Sequence, residues 1–316
     1  MMTLMTRLLL VLLALAQPLA MAWAQAPSQL VTQEPDSIAP AANLQTQIEY
    51  WQTKLQVKIG VAVLNTANGQ YWGFQDEQRF PMASTMKMLA CAKLLYDADN
   101  NRLQLSDKVT IEAADIITYS PMTEPLIGQA ISVNDACQMT LTSSDNTAAN
   151  IVLDAIGGPV ALTQFLRAQG DAITRLDRCE PELNQGMPED VRDTTSPKAV
   201  VHTWQQLLTA KVLSESAKAQ LTTWLQHNQV ANDLLRKTLP QGWLIADRSG
   251  AGGYGARGIV AMVWQPEQAP VFISIYLHQT TASMEQRNQA IAAIGDAIFV
   301  ALQNKSVDES ADNNSE

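Results

Sequence analysis

The sequence predicts an α/β (α+β) fold in which the two ends of the chain build one antiparallel sheet domain and the middle forms an all-helical insert. Three observations carry this. Near the N-terminus, Asn68-Gly69 sits inside "VKIGVAVLNTANGQYWGF", between two β-rich runs, which marks a hairpin. Three further strand patterns, "WLIADRS", "RGIVAMVWQ" and "VFISIYL", return only beyond residue 240. Between them, from about Ser84 to Leu239, apolar residues recur at helical spacing. The expected division is residues 43–83 and 240–303 for a five-stranded sheet domain with flanking helices, and 84–239 for the helical domain.

The elements follow in order. Residues 1–24, "MMTLMTRLLLVLLALAQPLAMAWA", place Arg7 before an apolar run from Leu8 to Ala16, then Pro18 and the small-x-small triplet Ala22-Trp23-Ala24. This reads as a secretory signal cleaved after Ala24. The run ends at Gln17, short of the ~20 residues a spanning helix needs. No cysteine lies near the cleavage point to carry a lipid, so the expected product is exported, free of the membrane and periplasmic. Residues 25–42, with Pro27, Pro35 and Pro40, lack periodicity and read as a mobile leader. Leu44, Ile48, Trp51 and Leu55 then mark a first helix, and the hairpin follows. In the middle of the chain, "LSDKV", "ISVNDA", "AIGGP" and "TTSPKA" are helix start and stop signals. A closing amphipathic helix is expected from about Ser283 to Gln303, with a disordered acidic tail over 304–316.

Composition narrows the partners. The 316 residues are 47% hydrophobic, enough for one large domain or two closely packed ones. A net charge of -10 without any Lys/Arg-rich run excludes an extended surface for nucleic acid. The three histidines are far apart, and neither H-E-x-x-H nor a short Cys/His cluster occurs, so no metal or other cofactor is expected. Export permits a disulfide. Cys91 and Cys137 lie in apolar helical patterns and Cys179 in a charged, Pro-containing segment, which makes Cys91–Cys137 the expected pair and Cys179 the free thiol.

Gly250, Gly252 and Gly255 match the G-x-G-x-x-G pattern of nucleotide loops. That pattern requires a helix directly after the glycines, whereas "RGIVAMVW" is a strand. The glycines are therefore expected at a strand end and turn, leaving room for a ligand against the backbone.

Four stretches carry chemistry. Ser84 and Lys87, three apart at the head of a helix, share a face. A partly desolvated lysine can take a serine proton, and the helix start offers amide donors. Alone this is weak, since about one S-x-x-K arises by chance in a chain of this size. Ser144-Asp145-Asn146 reads either as a helix cap or as a proton relay (Ser144) with a carbonyl-binding amide (Asn146). Glu180 and Asn184, four apart, would aim a carboxylate and an amide at one water, and Arg178 and Asp193 could close the loop around them. Arg248-Ser249-Gly250 ends a strand with a cation, a hydroxyl and a glycine.

In this order, S-x-x-K, S-D-N and a basic-hydroxyl-Gly triad resemble the active-site serine β-lactamases and penicillin-binding proteins, and Glu180-x-x-x-Asn184 resembles class A β-lactamases. The resemblance covers about Leu44 to Gln303 and implies the serine β-lactamase fold, with the active site between the two domains. Arg248 stands where the family usually has lysine; it, with "TYSP", "DNTAANI" and "ADRSGAGGYGAR", is similar to the carbenicillin-hydrolysing subgroup. The resemblance implies that Ser84 attacks the β-lactam carbonyl, that the N–H groups of Ser84 and Ala251 form the oxyanion hole, that Ser144 protonates the leaving nitrogen and that Glu180 with Asn184 activates the hydrolytic water. Lys87 and Glu180 both remain open as the acylation base. Arg248, Ser249 and Arg257 would bind the substrate carboxylate, Gly250 would lie in the substrate-binding site with them, and Tyr119 would wall the site. The implied partners are β-lactam antibiotics and mechanism-based β-lactam inhibitors, acting on a monomer. A penicillin-binding peptidase has no reason to place Glu180 and Asn184 on one loop, and a β-lactam sensor normally needs a membrane segment.

Overall fold

The computed structural model describes residues 42–312, with side chains over 43–304. The expected signal and nearly all of the leader lie outside the described residues, as do residues 313–316. Helix α1 (Ala42–Leu55) precedes the hairpin of β1 (Lys58–Asn65) and β2 (Tyr71–Phe74). Strand β3 (Phe80–Pro81) leads through a 3-10 turn at Ala83–Thr85 into α2 (Met86–Asp99), followed by β4 (Lys108–Thr110) and β5 (Ala130–Ser132). Next come α3 (Val133–Ser143), α4 (Asn146–Ala155), α5 (Gly158–Ala168), β6 (Thr194–Thr195), α6 (Pro197–Thr209), α7 (Glu215–Gln226) and α8 (Leu235–Thr238). The chain closes with β7 (Leu244–Ala251), β8 (Arg257–Trp264), β9 (Val271–His278) and α9 (Met284–Asp312).

Among the described residues the main sheet has five strands in the order β2-β1-β9-β8-β7, all antiparallel, so strands from the two chain ends lie side by side. Val61 of β1 pairs with Ile275 of β9. Every residue of β9 is buried, because the sheet is covered on both faces. On one face Ile59, Val61, Ile259, Ile273 and Ile275 join Ile48 of α1 and Ile291, Ile294 and Ile298 of α9 in one core. Opposite-facing Ala62, Val260, Phe272 and Tyr276 join the core of the helical region instead.

Local chemistry accounts for the helix boundaries. Ser132 and Asp135 exchange side chain-to-backbone bonds of 3.0 and 3.2 Å, a capping box at the head of α3. Ser196 Oγ accepts from Ala199 N at 3.2 Å ahead of Pro197, the first residue of α6. Cys91 and Cys137 form a disulfide between α2 and α3, and Cys179 is free.

Three expectations are corrected. The middle of the chain is not all-helical: β4 pairs with β5, and β6 returns to β3. "LSDKV" opens β4 rather than a helix, since Val109 and Thr110 suit a strand and Ile131 lies opposite Val109. The closing helix runs from Met284 to Asp312, past the end expected near Gln303; no Gly or Pro interrupts residues 303–312.

Candidate active site

Ser84 lies in the 3-10 turn between β3 and α2, where Ala83 adopts φ 44°. Thr85 holds the turn, its hydroxyl lying 2.8 Å from Met82 O and 2.9 Å from the Tyr276 hydroxyl on β9. Lys87, in the first turn of α2, is fully buried. Its ammonium donates to Asn146 Oδ1 at 2.6 Å, Ser144 O at 2.8 Å and Ser144 Oγ at 3.2 Å, and lies 3.1 Å from Glu180 Oε1. Ser144 Oγ is 3.1 Å from Ser84 Oγ, so one hydroxyl bridges nucleophile and lysine. Burial pushes the Lys87 ammonium down to about 8 against the pull of Glu180, within reach of proton exchange near neutral pH.

The cap reading of Ser144-Asp145-Asn146 holds, and the same triplet faces Ser84 and Lys87. Ser144 ends α3 at φ 66°, and Asp145 caps α4 by accepting from Ala148 N at 2.8 Å. Asp145 also accepts from Met122 N at 2.8 Å and Thr123 N at 2.9 Å, and Tyr119 O accepts from Asn146 N at 2.9 Å. The caps thus fix the loop that carries Tyr119, which is 54% exposed at the mouth of the site. The Asn146 amide, expected to meet a substrate carbonyl, is engaged by Lys87 and, at 2.8 Å, by Thr118 O, which leaves one N–H.

Glu180 is buried, and Asn184 Nδ2 donates to its Oε2 from the 3-10 turn Glu182–Asn184. Arg178 Nε meets Asp193 Oδ2 at 2.6 Å, while Asp193 Oδ1 accepts from the backbone N of Asp177 at 2.7 Å and of Arg178 at 2.9 Å. The ion pair therefore closes the loop as the spacing predicts. Ser84, Ser144, Asn184, Ala251, Arg248 and Arg257 line one cavity of about 380 Å³. A roomier hollow of about 600 Å³ beside Lys198 and His202 is lined by none of these residues.

A model of the β-lactamase enzyme family matches residues 43–302. The chain belongs to the β-lactamase enzyme family. It is 55% identical over 248 residues to β-lactamase PSE-4 of Pseudomonas aeruginosa, covering 78% of this chain and 86% of that one. β-Lactamase AER-1 of Aeromonas hydrophila is 45% identical over 245 residues, 77% of this chain and 81% of its own. The chromosome-encoded β-lactamase of Vibrio parahaemolyticus superposes with a TM-score of 0.80 at 45% identity, covering 81% of this chain and 97% of that one. An ancestral (GNCA) class A β-lactamase gives 0.80 at 40% identity, covering 82% and 99%. The chain is a class A β-lactamase, a hydrolase of the β-lactam amide bond.

In this β-lactamase Arg248, expected to bind the substrate carboxylate, has most of its donors engaged within the protein. It is fully buried; Nε donates to Ser84 O at 3.3 Å, and Nη1 donates to Leu141 O and Asn228 Oδ1 at 3.2 Å each. Nη2 alone is buried without a hydrogen-bond partner among the described residues. Burial lowers the guanidinium to about 10, so it stays cationic at neutral pH. Ser249 Oγ lies 3.4 Å from Val230 O, and Arg257 donates to Gly250 O at 3.1 Å and Asn288 Oδ1 at 2.8 Å.

The glycines also serve a different neighbour from the one expected. A Cβ on Gly250 would stand 2.6 Å from Met82 O and 2.9 Å from Ser84 N, and one on Gly252 would stand 2.8 Å from Asn184 O. They make room for the nucleophile turn and for the Glu180 loop, which bonds back through Gly253 N to Asn184 O at 2.8 Å. Gly250→Ala is expected to lower kcat/KM by about 10²-fold, the cost of shifting Ser84 against its neighbours by about an ångström. A variant within a few-fold of wild type would show that the strand end moves freely.

The sequence reading missed Asn150, Asn228, Val230 and Met284. Asn150 clamps the Glu180 backbone in both directions, at 2.8 and 2.9 Å. Its signal was available, because it stands four residues after Asn146 on one face of α4. Val230 and Met284 line the cavity without any local pattern to betray them.

Proposed function

We propose that the enzyme hydrolyses penicillins, carbenicillin included, through a serine acyl-enzyme in the periplasm, as a monomer that mechanism-based β-lactam inhibitors also acylate. Ser84 Oγ attacks the β-lactam carbonyl carbon, and the N–H groups of Ser84 and Ala251 receive the oxyanion. The ring C–N bond breaks, and the net movement is one proton from Ser84 Oγ to the departing nitrogen. Ser144, between Ser84 and Lys87, is the carrier. Glu180 then takes a proton from a water held with Asn184; the hydroxide attacks the acyl ester, and Ser84 leaves and regains its proton. The observation that carries this reading is the unbroken set of contacts Ser84–Ser144–Lys87–Glu180–Asn184. Asn184 Oδ1, buried without a partner among the described residues, supports its role toward water.

Arg248 and Arg257 receive the substrate carboxylate, with Ser249 and Gly250 shaping the strand end beside it. Arg248 in place of lysine supports carbenicillin as a substrate by likeness to that subgroup. Turnover of carbenicillin and of a penicillin lacking its second carboxylate, followed by loss of ring absorbance, tests the reading. No hydrolysis of carbenicillin would remove it from the substrate range.

With a net charge of -10, the chain must attract an anionic substrate through local cations. kcat/KM is expected to fall as salt rises. A flat profile between low and high ionic strength would discard steering and leave the assignment of Ser84 intact.

A further inference from the structure

We propose that Asn228 is a positioning residue that keeps the charge of Arg248 available to the substrate carboxylate, an inference that rests on the reading of Arg248 given above. A buried guanidinium is normally neutralised by a carboxylate. Arg248 is not: its three partners, Ser84 O, Leu141 O and Asn228 Oδ1, are all neutral. Among the described residues no carboxylate lies within salt-bridge distance of it.

The acid next to it in sequence is committed elsewhere. Asp247 is fully buried and receives Arg236 Nη2 at 2.8 Å and Nε at 3.1 Å. Asn228, just beyond the end of α7, stands between this ion pair and Arg248. Its Nδ2 donates to Asp247 Oδ1 at 2.9 Å, while its Oδ1 accepts from Arg248 Nη1 at 3.2 Å and Val230 N at 3.1 Å. The orientation of the amide follows from chemistry: an ionised carboxylate only accepts, and guanidinium and backbone N–H only donate. A neutral side chain that donates on one side and accepts on the other is what this place requires. Asn228 thereby fixes the guanidinium by shape without cancelling its charge, and leaves Nη2, on a residue that lines the cavity, for an anion from outside.

Asn228→Asp keeps the shape, adds a charge beside Arg248 and turns the donor that faces Asp247 into an acceptor. Assayed at pH 8, well above the ordinary carboxylate range, it is expected to raise KM for a penicillin roughly tenfold or more, as loss of a hydrogen bond to a charged group does, with kcat within about threefold of wild type. In an Arg248→Ala background the same substitution is expected to leave KM unchanged. Asn228→Ser, a shorter neutral acceptor, is expected to stay within about threefold of wild-type KM. A KM for Asn228→Asp within twofold of wild type, equal losses in kcat and kcat/KM, or an equal effect without Arg248 would each overturn the proposal. Should Asn228→Asp fail to fold, Asn228→Ala decides: a raised KM beside a near-normal Asn228→Ser supports the role, and wild-type KM in both overturns it. Wild-type turnover, measured in the same assay, tests the underlying reading separately.

Discussion

Ser84→Ala is expected to lower kcat for penicillin hydrolysis by at least ~10³, as removal of an acyl-transfer nucleophile does. The loss should fall on kcat and not on folding. The hydroxyl is bonded to Ser144 Oγ at 3.1 Å, whereas the turn itself is held by Thr85 and by the approach of Gly250. Intact-mass measurement should show a covalent adduct on wild type during turnover and none on the variant. Near-normal turnover would remove Ser84 from the reaction and the mechanism with it.

Glu180→Ala is expected to stop the cycle halfway. With Ser84, Ser144 and Lys87 in place, acylation should proceed and deacylation should slow by about 10²–10⁴, the range for loss of a general base. Mass spectrometry should then find the penicilloyl adduct persisting on the variant while wild type clears it. The substitution also strips Lys87 of its only carboxylate within 4 Å among the described residues, and Glu180 is the group that holds the ammonium up against burial. The lysine should therefore fall below about 8 and turn neutral more readily. If acylation stops as well, Glu180 is needed in the first half of the reaction. If wild type itself keeps the adduct, the enzyme behaves as a sensor or peptidase would.

What could be read from the amino-acid sequence divides by the range of the interaction. Helix caps such as Ser132 and Ser196, and the Asn68-Gly69 hairpin with Gly69 at φ 73°, are written within a few residues and were legible. So were Ser84 and Lys87, Ser144 and Asn146, and Glu180 and Asn184 as local motifs, weak one by one and made specific by their order along the chain. Long-range contacts were not. Asn228 looks like an ordinary helix-end asparagine until α7 is packed against β7, where it meets Asp247 nineteen residues on. Gly250 and Gly252 were read as room for a ligand; which neighbour occupies the space beside a missing Cβ is decided by tertiary packing alone. Arg248 was read as a holder of the substrate carboxylate, and nothing in its neighbours in sequence reports that Leu141 O and Ser84 O close over it.

The strand order has a consequence for the birth of the enzyme. β1 is flanked by β2, which follows it at once, and by β9, whose first residue lies more than 200 positions later. During synthesis the apolar hairpin must wait, with one edge open, for the last strand to arrive, and β7 cannot take its place beside Ser84 before β8 and β9 join it to β1. The catalytic pocket is thus among the last things to form, and until then the open hairpin is exposed to pairing with other chains. A chain cut before Val271 should yield aggregate rather than a weakened enzyme.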